Sequence, residues 1–207
     1  MTPWLLFGAG GSGVGAETLK LALAEKRPVI AIVRSAQAAA ELEKKGVRVF
    51  KGDACNSSVV AGACCAAGPN AIAISSMGGD RDYLAHRTVI DEAENAGLRR
   101  MILVTSLGCG DSWRFLSPRA KAAFGQAVRE KSLAENWLQT SRLEYAILRP
   151  GGLLNGNATG KARRIQDKEC HGFVRRADVA AHIHELAHMP ALNNQIYSLV
   201  EPELNPG

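Results

Sequence analysis

Five glycines lie within the eight residues from Gly8 to Gly15, directly after the apolar run WLLF at 4–7. Of these, Gly8, Gly10 and Gly13 satisfy the pattern G-x-G-x-x-G. In that pattern one glycine permits a tight turn, one lets the backbone approach a pyrophosphate, and one allows a helix to pack closely on a strand. The free N–H groups at the helix start then meet the negative charge. The run therefore predicts a dinucleotide site at the first strand-to-helix turn.

The residues after the next two apolar runs bear on which dinucleotide binds. In AIVRSAQ, Arg34 and Ser35 stand where an NAD-specific fold has an acidic residue. Arginine offers a forked donor to a 2′-phosphate, so the sequence predicts NADP(H) in preference to NAD(H). In VFKGDACN, Asp53 and Ala54 end the third run. Asp53 either accepts from the adenine amino group or caps the following helix, and the pattern does not decide between them.

Apolar runs alternate with helical patterns along the whole chain, which is typical of a doubly wound α/β fold. The runs are short and continuously apolar, as expected for parallel strands covered by helices on both faces. The predicted strands are 4–7, 28–33, 47–50, 70–74, 101–105, 144–148 and 195–200, and the predicted helices are 14–26, 36–45, 56–67, 81–96, 118–140 and 177–188. We expect one Rossmann domain over 1–207, with an irregular substrate-side loop or small lobe at 150–174.

Composition is that of an ordinary globular protein, with 46% hydrophobic and 22% charged residues among 207. The net charge of +5 is scattered rather than gathered in one stripe, so we expect no nucleic-acid partner. No apolar run approaches the roughly 20 residues that span a bilayer. No basic region stands ahead of an apolar core at the N-terminus, so we expect no signal peptide. We therefore expect a cytoplasmic protein with no membrane partner, and its five cysteines as free thiols.

The motifs together resemble those of the atypical short-chain dehydrogenase/reductases. The resemblance is to the small NAD(P)H-binding group that contains the biliverdin-IXβ reductase/flavin reductases and the NmrA-like proteins. It extends over nearly the whole chain and rests on LLFGAGGSGVG, AIVRS, FKGDACN, AIAISSMGG, MILVTSLG, EKSLAENWLQTSRLEYAILRPGGL and VRRADVAAHI. The family pattern G-x-x-G-x-x-G matches Gly8 and Gly11 but places Val14 at its third glycine. Which glycine contacts the pyrophosphate therefore stays open.

The resemblance implies further cofactor contacts at the carboxyl ends of the strands. Residues 75–77 would border the adenosine and ribose, residues 105–107 the nicotinamide, and the turn at 150–151 the carboxamide. The full predicted set for the cofactor is Gly8, Gly10, Gly11, Ser12, Gly13, Val14, Arg34, Ser35, Asp53, Ala54, Ser75, Ser76, Met77, Thr105, Ser106, Lys131, Pro150 and Gly151.

The usual proton relay of these enzymes is incomplete in this sequence. Ser106 and Lys131 match the family's catalytic serine and lysine, but Ala127 stands where its tyrosine would be, and no tyrosine has a lysine four residues later. Ser106 is left to orient a substrate. Two functions remain: an NADPH-dependent reductase of a flat conjugated acceptor (a flavin, quinone or similar), or a non-catalytic NADP(H)-binding redox sensor of NmrA-like type with a protein partner.

Histidines near the C-terminus raise the question of a metal site. His182, His184 and His188 have the spacing H-x-H-x-x-x-H, and on a helix only the last two share a face. No carboxylate has complementary spacing nearby, apart from Glu185 on another face. We expect a half-exposed helix face and no bound metal.

Overall fold

The computed structural model describes residues 1–205 and contains ten strands and six α-helices. The strands are β1 Trp4–Phe7, β2 Val29–Val33, β3 Arg48–Lys51, β4 Ile72–Ser75, β5 Arg100–Val104, β6 Glu144–Pro150, β7 Gly152–Leu154, β8 Arg163–Ile165, β9 Phe173–Arg175 and β10 Gln195–Val200. The helices are α1 Val14–Ala24, α2 Ala36–Glu43, α3 Ser57–Ala67, α4 Asp82–Asn95, α5 Pro118–Gln139 and α6 Arg176–His188, and a 3₁₀ helix covers Gly110–Phe115.

Eight strands form one sheet in the order β3-β2-β1-β4-β5-β6-β10-β8. All neighbours are parallel except β10 and β8. The chain moves outward from β1 to β3, returns to β4 on the other side of β1, and continues outward to β6. The strand order thus reverses between β1 and β4, which is the switch point where open α/β sheets bind ligands. The predicted doubly wound Rossmann fold is confirmed.

Helices cover both faces of the sheet, which explains the continuously apolar strands. Along β1, Trp4 and Leu6 pack on the face of α1, α2 and α6, while Leu5 and Phe7 pack on the face of α3, α4 and α5. All four of these side chains are buried. Every predicted strand and helix is present, with ends shifted by no more than two residues. Within residues 1–205 no helix is long and apolar enough to cross a membrane.

The segment at 150–174 is more ordered than the sequence predicts. It contains three strands of three residues each: β7 and β9 pair in parallel as a second small sheet, and β8 joins the edge of the large one. Close backbone approach makes this possible, because a Cβ on Gly151 would lie 2.3 Å from the Gly172 carbonyl oxygen. Strands this short carry no readable periodicity, and the expectation of an irregular segment was wrong in this respect.

Candidate functional site

A cavity of about 510 Å³ opens at the carboxyl edge of the sheet, at the switch point. Its walls are the glycine loop, the ends of β2 and β3, and the loop between β4 and α4. Nine residues of the predicted cofactor set line it: Gly8, Gly10, Gly11, Arg34, Ser35, Asp53, Ala54, Ser76 and Met77.

The glycine loop leaves no room for side chains where the strand meets the helix. Gly8 has φ +94°, and a Cβ there would lie 3.1 Å from the Ser76 backbone. A Cβ on Gly15 would lie 2.5 Å from the Gly8 carbonyl oxygen, whereas one on Gly13 would meet nothing within 4 Å. The glycine that permits close helix–strand packing is therefore Gly15, a role that the sequence pattern did not assign to a particular glycine.

The start of α1 presents free backbone N–H groups to the edge of the cavity. Gly13 is the N-cap and supplies no side-chain hydrogen bond to the first turn. Val14 buries its side chain in the core, so only its backbone is available to a ligand. Exposed Ser12 lies beside this helix start. Free N–H groups and the positive end of the helix dipole favour an anion here, as a pyrophosphate requires.

An orphaned hydroxyl faces the same place. The Oγ of Ser76 is buried and has no hydrogen-bond partner. It lies 3.1 Å from the position that a Cβ on Gly8 would take, and 2.8 Å from that of a Cβ on Gly15. A buried hydroxyl without a partner costs free energy unless a ligand completes it. The glycine cradle and this hydroxyl together fit a bound dinucleotide.

The outer end of the cavity carries two arginines around one carboxylate. Asp53 accepts from the Cys55 N–H at 2.8 Å and from the Arg81 guanidinium at 2.8 Å. The Cys55 hydrogen bond is the main reason why the pKa of Asp53 is lowered; burial opposes it, and Arg81 and exposed Arg34 add to it. The cap of α3 is Asn56, so the alternative in which Asp53 caps that helix does not hold. Ser35 caps α2 through its hydroxyl.

Beneath the cavity, a buried chain of hydrogen bonds fixes the loop after β4. The hydroxyl of Ser75 lies 2.7 Å from His86 Nε2, and His86 Nδ1 lies 2.9 Å from Asp82 Oδ1. The other carboxylate oxygen of Asp82 accepts from Lys131 Nζ at 2.7 Å, and the same ammonium donates to the Met77 carbonyl at 3.0 Å. Ser75 therefore has only backbone to offer a cofactor, and its side chain supports the wall.

A second buried network lies behind the expected nicotinamide end. Thr105 donates to Glu135 at 2.6 Å, and Arg149 binds the same carboxylate through Nε and a terminal nitrogen at 3.0 and 2.7 Å. Arg149 also reaches Asp111 at 2.6 Å. Burial lowers the pKa of Arg149, but the carboxylates of Glu135 and Asp111 raise it by more. The pKa of Arg149 is therefore raised. The network ties the ends of β5 and β6 to α5.

The two turns expected around the nicotinamide are joined by backbone hydrogen bonds. Thr105 N donates to the Leu148 carbonyl at 2.8 Å and Leu107 N to the Pro150 carbonyl at 2.9 Å. The Ser106 hydroxyl is half-buried and donates to the Leu107 carbonyl at 3.1 Å. The next residue, Gly151, donates its N–H to the Leu199 carbonyl. This region lies beyond the cavity described above, and its assignment to the nicotinamide stays a prediction.

Several residues of the site carried no sequence signal that we used. Arg81 follows the Gly78–Gly79 pair after β4, which a search for glycines near strand ends would have found. His86 and Glu135 lie within ordinary helical patterns, so only the fold shows that they are buried and paired. They hold other residues rather than a ligand.

The C-terminal histidines do meet a carboxylate, contrary to expectation. Glu25, at the end of α1, contacts His184 and lies 3.2 Å from His188 Nε2. Arg27 lies 2.6 Å from the same His188 nitrogen and pairs with Glu25 at 2.8 Å. The guanidinium takes the place that a cation would occupy, so the cluster is a polar contact between α1 and α6 at the edge opposite the cavity.

Comparison with known proteins agrees with this geometry. A family model described as NAD(P)H-binding matches residues 8–190. The structure described as "ChuY: An Anaerobillin Reductase from Escherichia coli O157:H7" is 77% identical, covers 100% of both chains and has a TM-score of 0.99. The structure of chuY from E. coli strain CFT073 is 73% identical, also over 100% of both chains, with a TM-score of 0.94.

A curated relative from a plant is more distant. Sanguinarine reductase from Eschscholzia californica is 30% identical over 124 residues, which amount to 57% of this chain and 44% of that protein. The chain matches half or less of the length of each curated relative. The resemblance to NAD(P)H-binding proteins is confirmed by the family match.

Proposed function

This chain belongs to the NAD(P)H-binding family, and we propose that it is an NADPH-dependent reductase whose acceptor is a bilin. The observation that carries the proposal is the 77% identity over the full length of a chain described as an anaerobilin reductase. Bilins are linear tetrapyrroles, and they belong to the flat conjugated acceptors that the sequence indicates. The plant relative is also a reductase. Flavins and quinones share this chemistry and serve as comparison acceptors.

The cofactor has a binding site built from the chain's own groups. The α1 N-terminus and the Ser76 hydroxyl would hold the pyrophosphate end, and the cavity beside Asp53 the adenosine. Arg34 is exposed at its rim, and its positive charge reaches Asp53. This supports a preference for NADP(H), because a forked guanidinium attracts a 2′-phosphate. When bound, NADPH supplies the hydride.

The protein itself does not need to supply a proton. Ala127 has no titratable group, and Lys131, one turn further along α5, is paired with Asp82 and the Met77 carbonyl. Ser106 donates to a neighbouring carbonyl and can orient an acceptor but not acidify it. A conjugated acceptor takes hydride at one carbon and obtains its proton from water. Proximity and orientation then carry the rate.

The acceptor would lie between the turn at 105–107 and the turn at 150–153. The segment 154–173 flanks this position, and β7 and β9 hold it at the carboxyl edge of the sheet. Closure of this segment would exclude water and set the distance for hydride transfer. The small-molecule acceptor is thus the expected partner of the reductase.

The test follows the loss of 340 nm absorbance from NADPH with biliverdin, FMN or menadione, each with and without protein. We expect turnover with biliverdin well above background and faster with NADPH than with NADH. If NADPH binds stoichiometrically and every acceptor stays at the background rate, the protein is a redox sensor of NmrA-like type. Turnover of FMN or menadione alone would keep the reductase and remove the bilin.

A further inference from the structure

Residues 151–176, which begin at the turn predicted to border the acceptor, carry a surplus of basic residues. Residues 151–176 contain six basic and two acidic residues, a surplus of four, while the whole chain has a surplus of five. Of these six basic side chains only Arg164 pairs with an acid in the described residues, through Glu185 at 3.1 Å. A concentrated field of one sign raises the local concentration of ligands of the opposite sign.

Two of the unpaired cations are adjacent and already held in place. Arg175 ends β9, opposite Leu154 of β7, and Arg176 begins α6. Arg176 donates to the Leu153 carbonyl at 3.2 Å and to the Asn155 side-chain oxygen at 2.8 Å. Arg175 donates to the Asn157 carbonyl at 3.4 Å. Both guanidinium groups thus lie against the turn at 153–157, directly after the turn that borders the acceptor.

These arginines keep donors that the protein does not use. The Nε of Arg175 is buried and has no partner. Neither guanidinium has a carboxylate within 4.0 Å in the part of the chain that the structure describes. A guanidinium has five N–H donors in a fixed fork, and a buried unpaired one costs free energy. These N–H donors without a partner are suited to bind a carboxylate group of a ligand.

Stability does not explain the placement of these charges. Cations at the start of a helix oppose its dipole and cost rather than contribute free energy. The nearest acid along α6, Asp178, is buried and accepts from the N–H groups of Thr159 and Gly160 at 2.8 to 3.0 Å. It therefore holds the turn and does not neutralise the two arginines. Two adjacent cations at a helix start, with no acid paired to them within residues 1–205, are typical of a functional site.

We infer that Arg175 and Arg176 bind carboxylate side chains of the acceptor. The inference rests on the proposed function and extends it, because bilins carry propionate side chains that a neutral quinone lacks. A guanidinium–carboxylate contact is charge-assisted and geometrically specific, so it fixes the orientation of a long flexible acceptor over the cofactor. The two arginines are specificity-determining residues, and their loss affects acidic acceptors selectively.

The experiment compares biliverdin with its dimethyl ester, and menadione as a neutral acceptor, on Arg175→Gln, Arg176→Gln and the double variant. The matched control is Arg99→Gln, which removes the same charge from an exposed residue directly before β5, at the opposite edge of the sheet. Circular dichroism and the dissociation constant of NADPH are measured for each. We expect KM for biliverdin to rise roughly ten- to a hundredfold per arginine, the size of a charge-assisted contact.

The remaining readouts separate the inference from its premise. KM for menadione and the ester, and NADPH binding, stay within about twofold in the variants, and Arg99→Gln resembles the parent protein. Equal KM values for biliverdin and its ester in the parent protein overturn the inference while the reductase stands. Loss of NADPH affinity in the arginine variants overturns it as well, because the arginines then bind cofactor phosphate. Failure of the parent protein to bind either bilin removes the proposed function, and the inference with it.

Discussion

The ammonium of Lys131 lies 2.7 Å from Asp82 Oδ2, and both side chains are largely shielded from water. The lysine that matches the family's catalytic lysine is thus paired with the first residue of α4. Its second donor reaches the Met77 carbonyl. The pair joins α5 to the loop that walls the cofactor cavity, so Lys131 positions this loop before any ligand arrives.

We expect Asp82→Asn to lower the free energy of unfolding by about 3 to 5 kcal/mol at pH 7, since it leaves the partly buried Lys131 uncompensated. Burial raises the pKa of Asp82, but hydrogen bonds from His86 and Lys131 outweigh it, so the pKa is lowered. The stabilisation is complete above the unfolded value of about 3.9 and is lost as pH falls through the folded pKa. Urea unfolding at pH 7 and pH 3 measures this, with exposed Asp80→Asn as control. An equal loss at both pH values contradicts the prediction.

Two neighbouring serines are expected to separate binding from stability. Ser76→Ala removes the orphaned hydroxyl and weakens NADPH binding about two- to tenfold, the value of one neutral hydrogen bond, with unfolding unchanged. Ser75→Ala instead leaves His86 Nε2 unpaired and lowers stability by about 1 to 3 kcal/mol. Fluorescence titration gives the dissociation constant of NADPH, and urea unfolding gives the free energy of unfolding, for both variants. The reverse pattern would show that Ser75 faces the cofactor.

Gly15→Ala is expected to be far more damaging than Gly13→Ala. The new methyl at Gly15 would lie 2.5 Å from the Gly8 carbonyl oxygen, and that backbone must shift. Overpacking of this kind costs about 1 to 3 kcal/mol and displaces the cradle, so NADPH binding falls with stability. At Gly13 the methyl meets open space, and the loss of a favourable N-cap residue costs less than about 1 kcal/mol. Thermal unfolding and NADPH titration of both variants decide the matter.

Arg34→Asp is expected to change the cofactor preference. It removes a charge-assisted contact of about 1.5 to 3 kcal/mol to the 2′-phosphate and adds a repulsion, whereas NADH loses little. The ratio of the two dissociation constants then shifts at least tenfold toward NADH. Parallel titrations of parent and variant with both cofactors provide the measurement. Equal affinities for NADPH and NADH in the parent protein would remove the basis for Arg34 as a specificity residue.

Ser106→Ala is expected to lower kcat/KM for the acceptor by tenfold or less, about 1.4 kcal/mol in the barrier. The hydroxyl donates to a neighbouring carbonyl and has no acid behind it. Steady-state rates of the variant and the parent protein at saturating NADPH test this. A loss of several thousandfold would reveal a proton relay through Ser106.

The fold was readable from the sequence because each element is marked locally. Continuous apolar runs such as PVIAIV arise where helices cover both faces, and α5 starts at the cap Ser117 followed by Pro118. The strands β7, β8 and β9 are three residues long and depend on contacts between segments distant in sequence. Gly151 against Gly172 is such a contact. No local pattern records it.

Site residues could be predicted from the sequence only where the residue type by itself indicates the role. Gly8 belongs to that group, because few residues tolerate φ +94°. The contact of Arg34 with a phosphate stays a prediction. Lys131 was identified by its position, but its pairing with Asp82 depends on how α4 packs on α5. Glu135 was missed because an acidic residue within a helix is ordinarily a solvated one. Its burial depends on Arg149, fourteen residues away.

The last strand, β10, lies between β6 and β8, so one side of the sheet can be completed only after the whole chain up to β10 has been synthesised. Proteins are made from the N-terminus onward at roughly 5 to 20 residues per second, and early segments can begin to fold first. The strands β1 to β4 and the glycine loop belong to the first 82 residues of the chain, so the cofactor cavity can take shape early. Two contacts require β10: the pairing of β8 with it, and the hydrogen bond from the Gly151 N–H to the Leu199 carbonyl. The predicted acceptor side of the site is therefore completed only once residues 195–200 have left the ribosome.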